Sequence, residues 1–266
     1  MSLKITLLGT GSSGGVPRVG NIWGACDPKN PKNRRRRCAI LVEKITPRGR
    51  TRVLVDTPAD LRDQLLEAEI DCVDAVLYTH DHADHTHGID DLRGMAFNAH
   101  RRIDIYADAR TRQVLEQRFD YCFVQPPGSA YPPILNAHTI EPAAGLEVSG
   151  SGGGALSIIP LPQQHGELPS LGFRFGNVAY SPDISGIPEA ALPLFADLDL
   201  WIVDALRPLP HPSHFSVKQA LRWIERLNVK RAILTHMTSE LDYESLRREL
   251  PQHVEPGYDG MIVVAP

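Results

Sequence analysis

Short apolar runs that predict β-strands recur along the whole chain. Turn-forming residues and several amphipathic, helix-like stretches separate them. Strands interspersed with helices in this way are typical of the α/β class. The runs are LKITLLG, CAILVE, RVLVD, AVLYT, IDIYA, ALSIIPL, LGFRF, VAYS, LWIVD, AILTH and MIVVA.

Two helix starts are recognisable from their capping patterns. In the first, Thr57 is a candidate N-cap, followed by a proline in the first turn and by Asp60 as the acid at the third position. In the second, Ser216 and Gln219 form a capping box that leads into the amphipathic stretch QALRWIERL. We therefore predict that helices begin at these two positions.

The length of 266 residues suits one large domain or two small ones. The glycine-rich SGSGGG at residues 149–154 lies between strand-like runs, so we interpret it as a hairpin loop and not as a linker. We predict that residues 1–266 form one domain with two mainly β halves, each covered by helices.

Composition and charge exclude several functional classes. The formal charge of −4 does not suit a protein that coats nucleic acid. The N-terminal MSLKITLLGTG lacks the pattern of a signal peptide, and no window approaches the ~20 apolar residues of a membrane span. We predict a cytoplasmic protein without membrane contact. The cysteines are scattered and indicate neither a disulfide framework nor a cysteine-rich zinc site; they are Cys26, Cys38, Cys72 and Cys122.

The stretch THDHADHTH, residues 79–87, contains four of the 11 histidines. In an extended segment His80 and His82 flank one residue and point the same way, so they can share one metal ion. Asp84 and His85 follow after a turn and project towards a second ion if a helix begins there. Imidazole nitrogen with carboxylate oxygen suits zinc, manganese or iron.

Two catalytic metal ions need more ligands than this stretch supplies. His165 follows SIIPLP, Asp183 follows VAYSP, and His236 ends AILT, so each lies at the end of a predicted strand. A single histidine after a strand is more often a surface residue than a ligand, but the ordered set indicates a dinuclear site. We predict two divalent ions per chain, Mn²⁺ or Zn²⁺.

This ordered set resembles the ligand series of the metallo-β-lactamase superfamily. The segments GTGSSGGVP, LVDT, PLPQQH, SHFS and YDGM further resemble its phosphodiesterase branch, which includes the cyclic-phosphate hydrolase of the carbon–phosphorus lyase pathway. The similarity runs over nearly the whole chain. It implies a four-layer αβ/βα sandwich with the metal ions at one edge.

The resemblance also implies a role for each ligand. His80, His82 and His165 would hold the first ion, Asp84, His85 and His236 the second, and Asp183 would bridge them. We assign Asp84 to catalysis as well. Some relatives carry a structural zinc held by three cysteines and a distant histidine. Here Cys26 stands alone and Ser239 occupies the histidine position, so we predict no structural zinc.

Three further residues support the site in this interpretation. In the resembling phosphodiesterases, a histidine at the position of His214 faces the leaving group, which makes His214 the candidate general acid. Asp56 ends RVLVD and is a candidate acceptor for the second ring N–H of a ligand histidine. Asp204 ends LWIVD and is a candidate to orient His214. We assign surface or structural roles to His87, His100, His138, His211 and His253.

Two segments are candidates for contact with a phosphate. The run Arg34–Arg37 is either a solvated charge run or a source of one phosphate-binding guanidinium, for which we choose Arg37. The glycine-rich loop with Ser12 and Ser13 offers backbone N–H groups to an anion, although tight turning is the usual role of such a loop.

We therefore predict a hydrolase for a small phosphodiester, such as a cyclic sugar phosphate or a nucleotide. The alternatives are a ribonuclease Z-like tRNA 3′-processing endonuclease, a glyoxalase-II-like thioester hydrolase and a non-catalytic metal-binding module. QPPGSAYPP and SGSGGG are the candidate insertions, and neither has a lysine or arginine with which to grip RNA. We expect no stable nucleic-acid complex, and a homodimer remains open.

Overall fold

Two seven-stranded β-sheets form the centre of the protein in a computed structural model that describes residues 2–150 and 154–265. The first sheet has the order β14-β1-β2-β3-β4-β5-β6 and the second β13-β12-β11-β10-β9-β8-β7. The strands are β1 Ser2–Gly9, β2 Ala39–Thr46, β3 Gly49–Val55, β4 Ala75–Leu77, β5 Ile103–Ala107, β6 Leu135–Thr139, β7 Leu146–Gly150, β8 Gly154–His165, β9 Leu168–Phe175, β10 Val178–Ser181, β11 Leu200–Asp204, β12 Arg231–Thr235, β13 Val254–Pro256 and β14 Met261–Ala265.

Helices cover the outer face of each sheet. The α-helices are α1 Leu61–Glu67, α2 Ala83–Thr86, α3 Leu92–Ala99, α4 Ala109–Arg118, α5 Asp120–Phe123, α6 Val217–Arg226 and α7 Tyr243–Glu249. Short 3₁₀ helices lie at Pro31–Asn33, Ile89–Asp91 and Glu189–Phe195. In the described residues, no helix is both long enough and apolar enough to span a membrane.

The central strands of each sheet bury both of their faces. Val42 on β2 packs with Phe173 in the core between the sheets, whereas Leu41, one residue earlier, packs under α1 and α3. Trp201 on β11 packs under the helices of the second sheet. Burial on both faces explains why the strands read as continuous apolar runs and not as alternating ones. The predicted four-layer αβ/βα sandwich is confirmed.

The strand directions bring several chain segments to one edge. Strands β3 to β6 are parallel to one another, and so are β10 to β13. The carboxyl ends of parallel strands meet at the same edge of a sheet, where ligands commonly bind. This edge receives the residues that follow β3, β4, β10, β11 and β12.

All eleven predicted runs contain strands, and β6, β7 and β13 were missed because they are short and partly polar. The capping box of Ser216 and Gln219 at the start of α6 is confirmed. The capping role of Thr57 is wrong: α1 begins at Leu61, and the Thr57 hydroxyl lies 2.9 Å from the Tyr78 hydroxyl. Strands β7 and β8 pair antiparallel around SGSGGG, of which residues 151–153 lie outside the described residues.

Candidate metal centre

The predicted ligands converge at the shared edge of the two sheets. Helix α2 begins directly after His82, so the turn that separates Asp84 and His85 from the first two histidines is present as predicted. His165 is the last residue of β8, and His236 follows β12 directly. Asp183, two residues after β10, reaches the same place.

The Asp183 carboxylate lies in the middle of the cluster. Its Oδ1 is 3.0 Å from His85 Nε2 and 3.4 Å from His236 Nε2. Its Oδ2 is 3.6 Å from His165 Nε2 and 3.7 Å from His80 Nε2. One carboxylate therefore contacts histidines from both of the groups that the sequence suggested.

The ligand atoms form two groups, each able to hold a metal ion, and a third combination of Asp183, His214 and His236 shares one residue with each of them. Asp84 Oδ2 lies 3.6 Å from both His85 Nε2 and His236 Nε2. Within each group the ligand atoms lie within 4.8 Å of one another. The first group is His80, His82, His165 and Asp183, and the second is Asp84, His85 and His236.

Unpartnered polar atoms show that the cluster suits a cation. His80 Nε2, His85 Nε2, His236 Nε2 and Asp183 Oδ1 are buried and have no hydrogen-bond partner among the described residues. Buried polar groups in native proteins are normally satisfied, so four such atoms in one place require an explanation. A divalent cation between them would supply it, because nitrogen and oxygen donors of this kind bind such ions.

Asp56 fixes the orientation of two histidines. Its Oδ2 lies 2.7 Å from His85 Nδ1 and accepts a hydrogen bond from the Thr79 hydroxyl at 2.9 Å. Since the hydroxyl proton goes to Asp56, the Thr79 oxygen accepts from His80 Nδ1 at 3.0 Å. In both histidines Nε2 is left facing the cluster, as a ligand requires.

Two residues of the site have a left-handed backbone: the φ angle of Asp56 is 65° and that of His236 is 56°. Such strain clusters at functional sites.

The histidines of the cluster differ in their protonation. Burial lowers the pKa of the His85 imidazole, but the Asp183 and Asp56 carboxylates outweigh this and raise it well above its usual range. Burial raises the pKa of Asp183, but His236 and His85 hold it well below its usual range. Burial lowers the pKa of His80 well below its usual range and that of His165 to about 4, so these two imidazoles are neutral, as metal binding requires.

His214 lies beside the cluster and is held by Asp204. The His214 Nδ1 is 2.8 Å from Asp204 Oδ2, which also accepts the backbone N–H of Ile184 at 3.2 Å. The imidazole stacks on His236 with ring centres 4.8 Å apart, and its Nε2 is 3.9 Å from Asp183 Oδ2. Burial lowers the pKa of His214 and raises that of Asp204 well above its usual range.

The three predicted phosphate contacts lie next to the cluster and not in it. The Ser12 backbone N–H donates to the carbonyl of Met237, the residue after His236, at 3.3 Å. Arg37 donates from Nε to the Ser13 carbonyl at 3.2 Å and pairs through Nη1 with Asp60 at 2.8 Å. The assignment of Ser12, Ser13 and Arg37 to phosphate binding stays a prediction.

Three residues of this site were not predicted from the sequence. Thr79 links Asp56 to His80. His211, for which we predicted a surface or structural role, lies close to His214, with the two ring centres 5.2 Å apart. Arg118, at the end of α4, donates to the Asp81 carbonyl at 2.7 Å and lines a cavity of about 490 Å³ together with His82. The segment HPSH places His211 three residues before His214, and this spacing could have indicated their contact. Nothing in the sequence indicated a role for Arg118.

Loss of the Asp56 carboxylate should weaken metal binding. We expect Asp56→Asn to lower metal affinity about 10- to 100-fold, because the outer partners of ligand histidines typically contribute that much. Chelator competition measures it. Asp104→Asn is the matched control, since Asp104 also holds a histidine, His138, at 2.9 Å but away from the cluster. Equal metal affinity in both variants would contradict the orienting role.

Comparisons with known proteins agree with this architecture. A family model described as the beta-lactamase superfamily domain matches residues 51–237. A crystal structure of a diphosphatase from the PhnP family has 33% sequence identity and a TM-score of 0.87, over 100% of this chain and 98% of that one. Zn²⁺-bound PqqB from Methylobacterium extorquens has 16% identity and a TM-score of 0.73, over 98% of this chain and 99% of that one. That similarity concerns the fold alone.

Two further relatives carry other activities in their names. Human short-form tRNase Z has 17% identity and a TM-score of 0.65, over 98% of both chains, which again concerns the fold alone. An octanoyltransferase of Porphyromonas gingivalis strain W83 is 34% identical over 263 residues, which are 97% of this chain and 51% of that protein. The chain thus spans about half the length of this curated relative.

Proposed function

Since the chain belongs to the metallo-β-lactamase superfamily of hydrolases, and within it to the branch of the PhnP-family diphosphatase, we propose that it is a metal-dependent phosphodiesterase for a small phosphodiester. The proposal rests chiefly on one observation: a histidine held by a buried acid, His214 with Asp204, stands beside the cluster of ligands. The cluster identifies a hydrolase centre, and this pair favours a leaving group that needs a proton.

The ligand groups support two divalent ions, Mn²⁺ or Zn²⁺. Two such ions lower the pKa of water towards neutrality and neutralise the charge of a phosphate group. The first ion would be held by His80, His82 and His165, the second by Asp84, His85 and His236, with Asp183 shared between them.

His214 would move the proton that the leaving group needs. Its Nδ1 faces Asp204, so the proton to be donated is carried on Nε2, which lies on the side of the cluster. Asp204 acts as a positioning residue, because its Oδ2 fixes the His214 ring at Nδ1, while its Oδ1 lies 3.9 Å from Nδ1 of His236 and not on the Nε2 side, where the ligand atoms meet. An alkoxide is a poor leaving group without protonation, and general acid catalysis at this oxygen lowers the barrier.

A thioester is the second candidate substrate class. The relative named octanoyltransferase favours it, since that name implies acyl chemistry, although it describes a protein about twice as long as this chain. Thiolate leaves readily without protonation, so a thioester hydrolase has little use for the His214–Asp204 pair. We therefore place thioester hydrolysis second.

A tRNA-processing endonuclease is less well supported. The similarity to human tRNase Z concerns the fold. The insertion QPPGSAYPP lacks basic residues, and so does SGSGGG. An enzyme that grips RNA through a basic arm should bind with a steep dependence on salt. We expect RNA binding that is weak and varies little with salt.

A substrate panel tests the proposal. The protein loaded with Mn²⁺ or Zn²⁺ should hydrolyse bis(4-nitrophenyl) phosphate and an alkyl phosphodiester, with little turnover of a glutathione thioester. A chelator should abolish the activity, and the metal should restore it. Preferential turnover of the thioester would overturn the phosphodiesterase proposal, and no turnover on any substrate would favour a binding module.

A further inference from the structure

A large groove with an unbalanced positive charge lies beside the candidate metal centre. Its volume is about 1040 Å³, and six basic but only four acidic side chains line it. We call it the cationic groove and define it by the residues that matter below: Gly14, Arg18, Lys32, Arg34, Arg37 and Tyr258. Clefts of ~300–1,000 Å³ typically hold ligands of drug or nucleotide size.

Each acidic side chain of the groove lies beside an arginine. Arg36 pairs with Glu67 at 2.6 Å and with Asp259 at 3.2 Å. Arg37 pairs with Asp60 at 2.8 Å. The fourth acid, Asp63, lies 3.4 Å from Arg62, which points outside the groove lining.

Besides the buried Arg35, three cations of the lining have no carboxylate partner in the described part of the chain. Among residues 2–150 and 154–265, no carboxylate lies within 4.0 Å of the charged nitrogens of Arg18, Lys32 or Arg34. All three line the groove, where they offer positive charge to an incoming anion.

Arg35 is buried and anchored inside the protein, and this determines the direction in which its neighbour Arg34 points. Its guanidinium donates to the carbonyls of Leu241 at 2.8 Å and Thr238 at 3.2 Å, and the side chain is 1% exposed. The backbone of Arg35 pairs with Val16 in an extended bridge. Because side chains alternate in an extended segment, anchoring Arg35 inwards directs Arg34 outwards.

Aromatic and glycine contacts hold the free cations in place. Lys32 Nζ lies 4.4 Å from the ring centre of Tyr243 and 4.7 Å from that of Tyr258. The Arg34 guanidinium lies 5.6 Å from the Trp23 ring. The Arg18 stem crosses Gly14 so closely that a Cβ at Gly14 would meet it at 3.3 Å. Cations held in this way bind an anion at a smaller entropic cost than free side chains do.

The loop after β1 connects the groove to the metal centre. Ser12 is bonded to the residue after His236, and Gly14 lines the groove. Two residues of chain span at most ~7 Å, so the groove begins about that far from the wall of the centre. One molecule with two anionic groups could occupy both places.

We propose that the cationic groove binds a second anionic group of the substrate, a phosphate or diphosphate one linkage away from the bond that is cleaved. The proposal rests on the proposed function, since it assumes phosphoester hydrolysis at the centre. It deepens that function by naming the substrate class: a nucleotide-sized diester or diphosphate ester with an additional negative charge. Arginine suits such a group because its fork matches phosphate oxygens.

Substitution of the free arginines tests the groove. In Arg18→Ala/Arg34→Ala we expect KM for ADP-ribose to rise about 10-fold or more, with a much smaller change for bis(4-nitrophenyl) phosphate, which lacks a second anion. Calorimetric binding of ADP should weaken by the same factor. The control is Arg222→Ala, which changes an exposed arginine on α6 outside the groove. It should leave the KM for ADP-ribose and the affinity for ADP unchanged.

The outcomes separate the two proposals. If phosphodiesters are hydrolysed but the double variant keeps the parent KM for ADP-ribose and the parent affinity for ADP, the groove proposal is overturned while the function stands. If no phosphoester is hydrolysed but ADP binding still depends on Arg18 and Arg34, the groove is an anion site and the proposed function fails. Loss of binding to a single-stranded RNA, with ADP binding unchanged, would overturn the groove proposal in favour of a nucleic-acid surface.

Discussion

Asp183→Ala should lose bound metal and metal-dependent turnover together, with a larger effect than any single histidine substitution. The Asp183 carboxylate lies 3.0–3.7 Å from four histidines that belong to both ligand groups. Removing it takes away the shared ligand and leaves the Nε2 atoms of His85 and His236 without the carboxylate oxygen nearest to them. Elemental analysis of dialysed protein, with turnover measured on the same sample, tests this; we expect about two ions per parent chain.

Asp81→Ala is the matched control for the metal content. Asp81 lies within the same THDHADH stretch and is also buried, but its carboxylate faces Arg110 at 3.7 Å. It should therefore retain the metal. Two ions and near-normal turnover in Asp183→Ala would show that Asp183 is only a turn residue beside Pro182. One ion in the parent, with full activity after Asp84→Ala, would contradict the two-ion arrangement.

The position of the site was predictable because ligand residues follow apolar runs. A run such as AILT is buried on both faces and needs no partner to be recognised as a strand, so the polar residue after it, His236, must lie at a sheet edge. The same reasoning placed His165 and Asp183. The order of these residues along the chain then indicated one shared edge.

The contacts that orient the ligands were less predictable. Asp56 and His85 are 29 residues apart, and Asp204 and His214 are 10 apart. A strand-terminal acid indicates a partner, and Asp204 was matched with His214 from the sequence, but for Asp56 the sequence does not say which ligand histidine it meets. The hydroxyl of Thr79 had no signal at all, because it acts only through the fold of two neighbouring segments.

Local patterns also failed where tertiary contacts compete with them. Thr57 has the sequence of a helix cap, but its hydroxyl contacts Tyr78, and the helix begins after Asp60, which binds Arg37. The arginine run gave no hint that Arg35 is buried, since four identical residues have no hydrophobic periodicity. Arg35 is turned inwards by tertiary contacts: its backbone pairs with Val16, and its guanidinium donates to the carbonyls of Thr238 and Leu241.

His214→Ala should slow hydrolysis of alkyl or sugar phosphodiesters by about 10²–10⁴-fold, the usual contribution of a general acid. On a 4-nitrophenyl ester the loss should be far smaller, because 4-nitrophenolate is weakly basic and needs little protonation. Metal content should hardly change, since the two ligand groups assigned to the metal ions are complete without His214. Rates on both substrates at saturating metal measure the difference.

The ratio of the two losses decides the role of His214. Asp204→Asn removes the carboxylate that holds Nδ1 at 2.8 Å, so it should produce the same dependence on the leaving group in weaker form. His211→Ala, which removes a neighbouring ring without touching the Asp204 contact, serves as the control and should show no such dependence.

Equal losses on both substrates in His214→Ala would indicate a positioning role. No loss on either substrate would remove His214 from the mechanism and return the thioesterase to first place, because the metal centre alone does not select the bond that is broken.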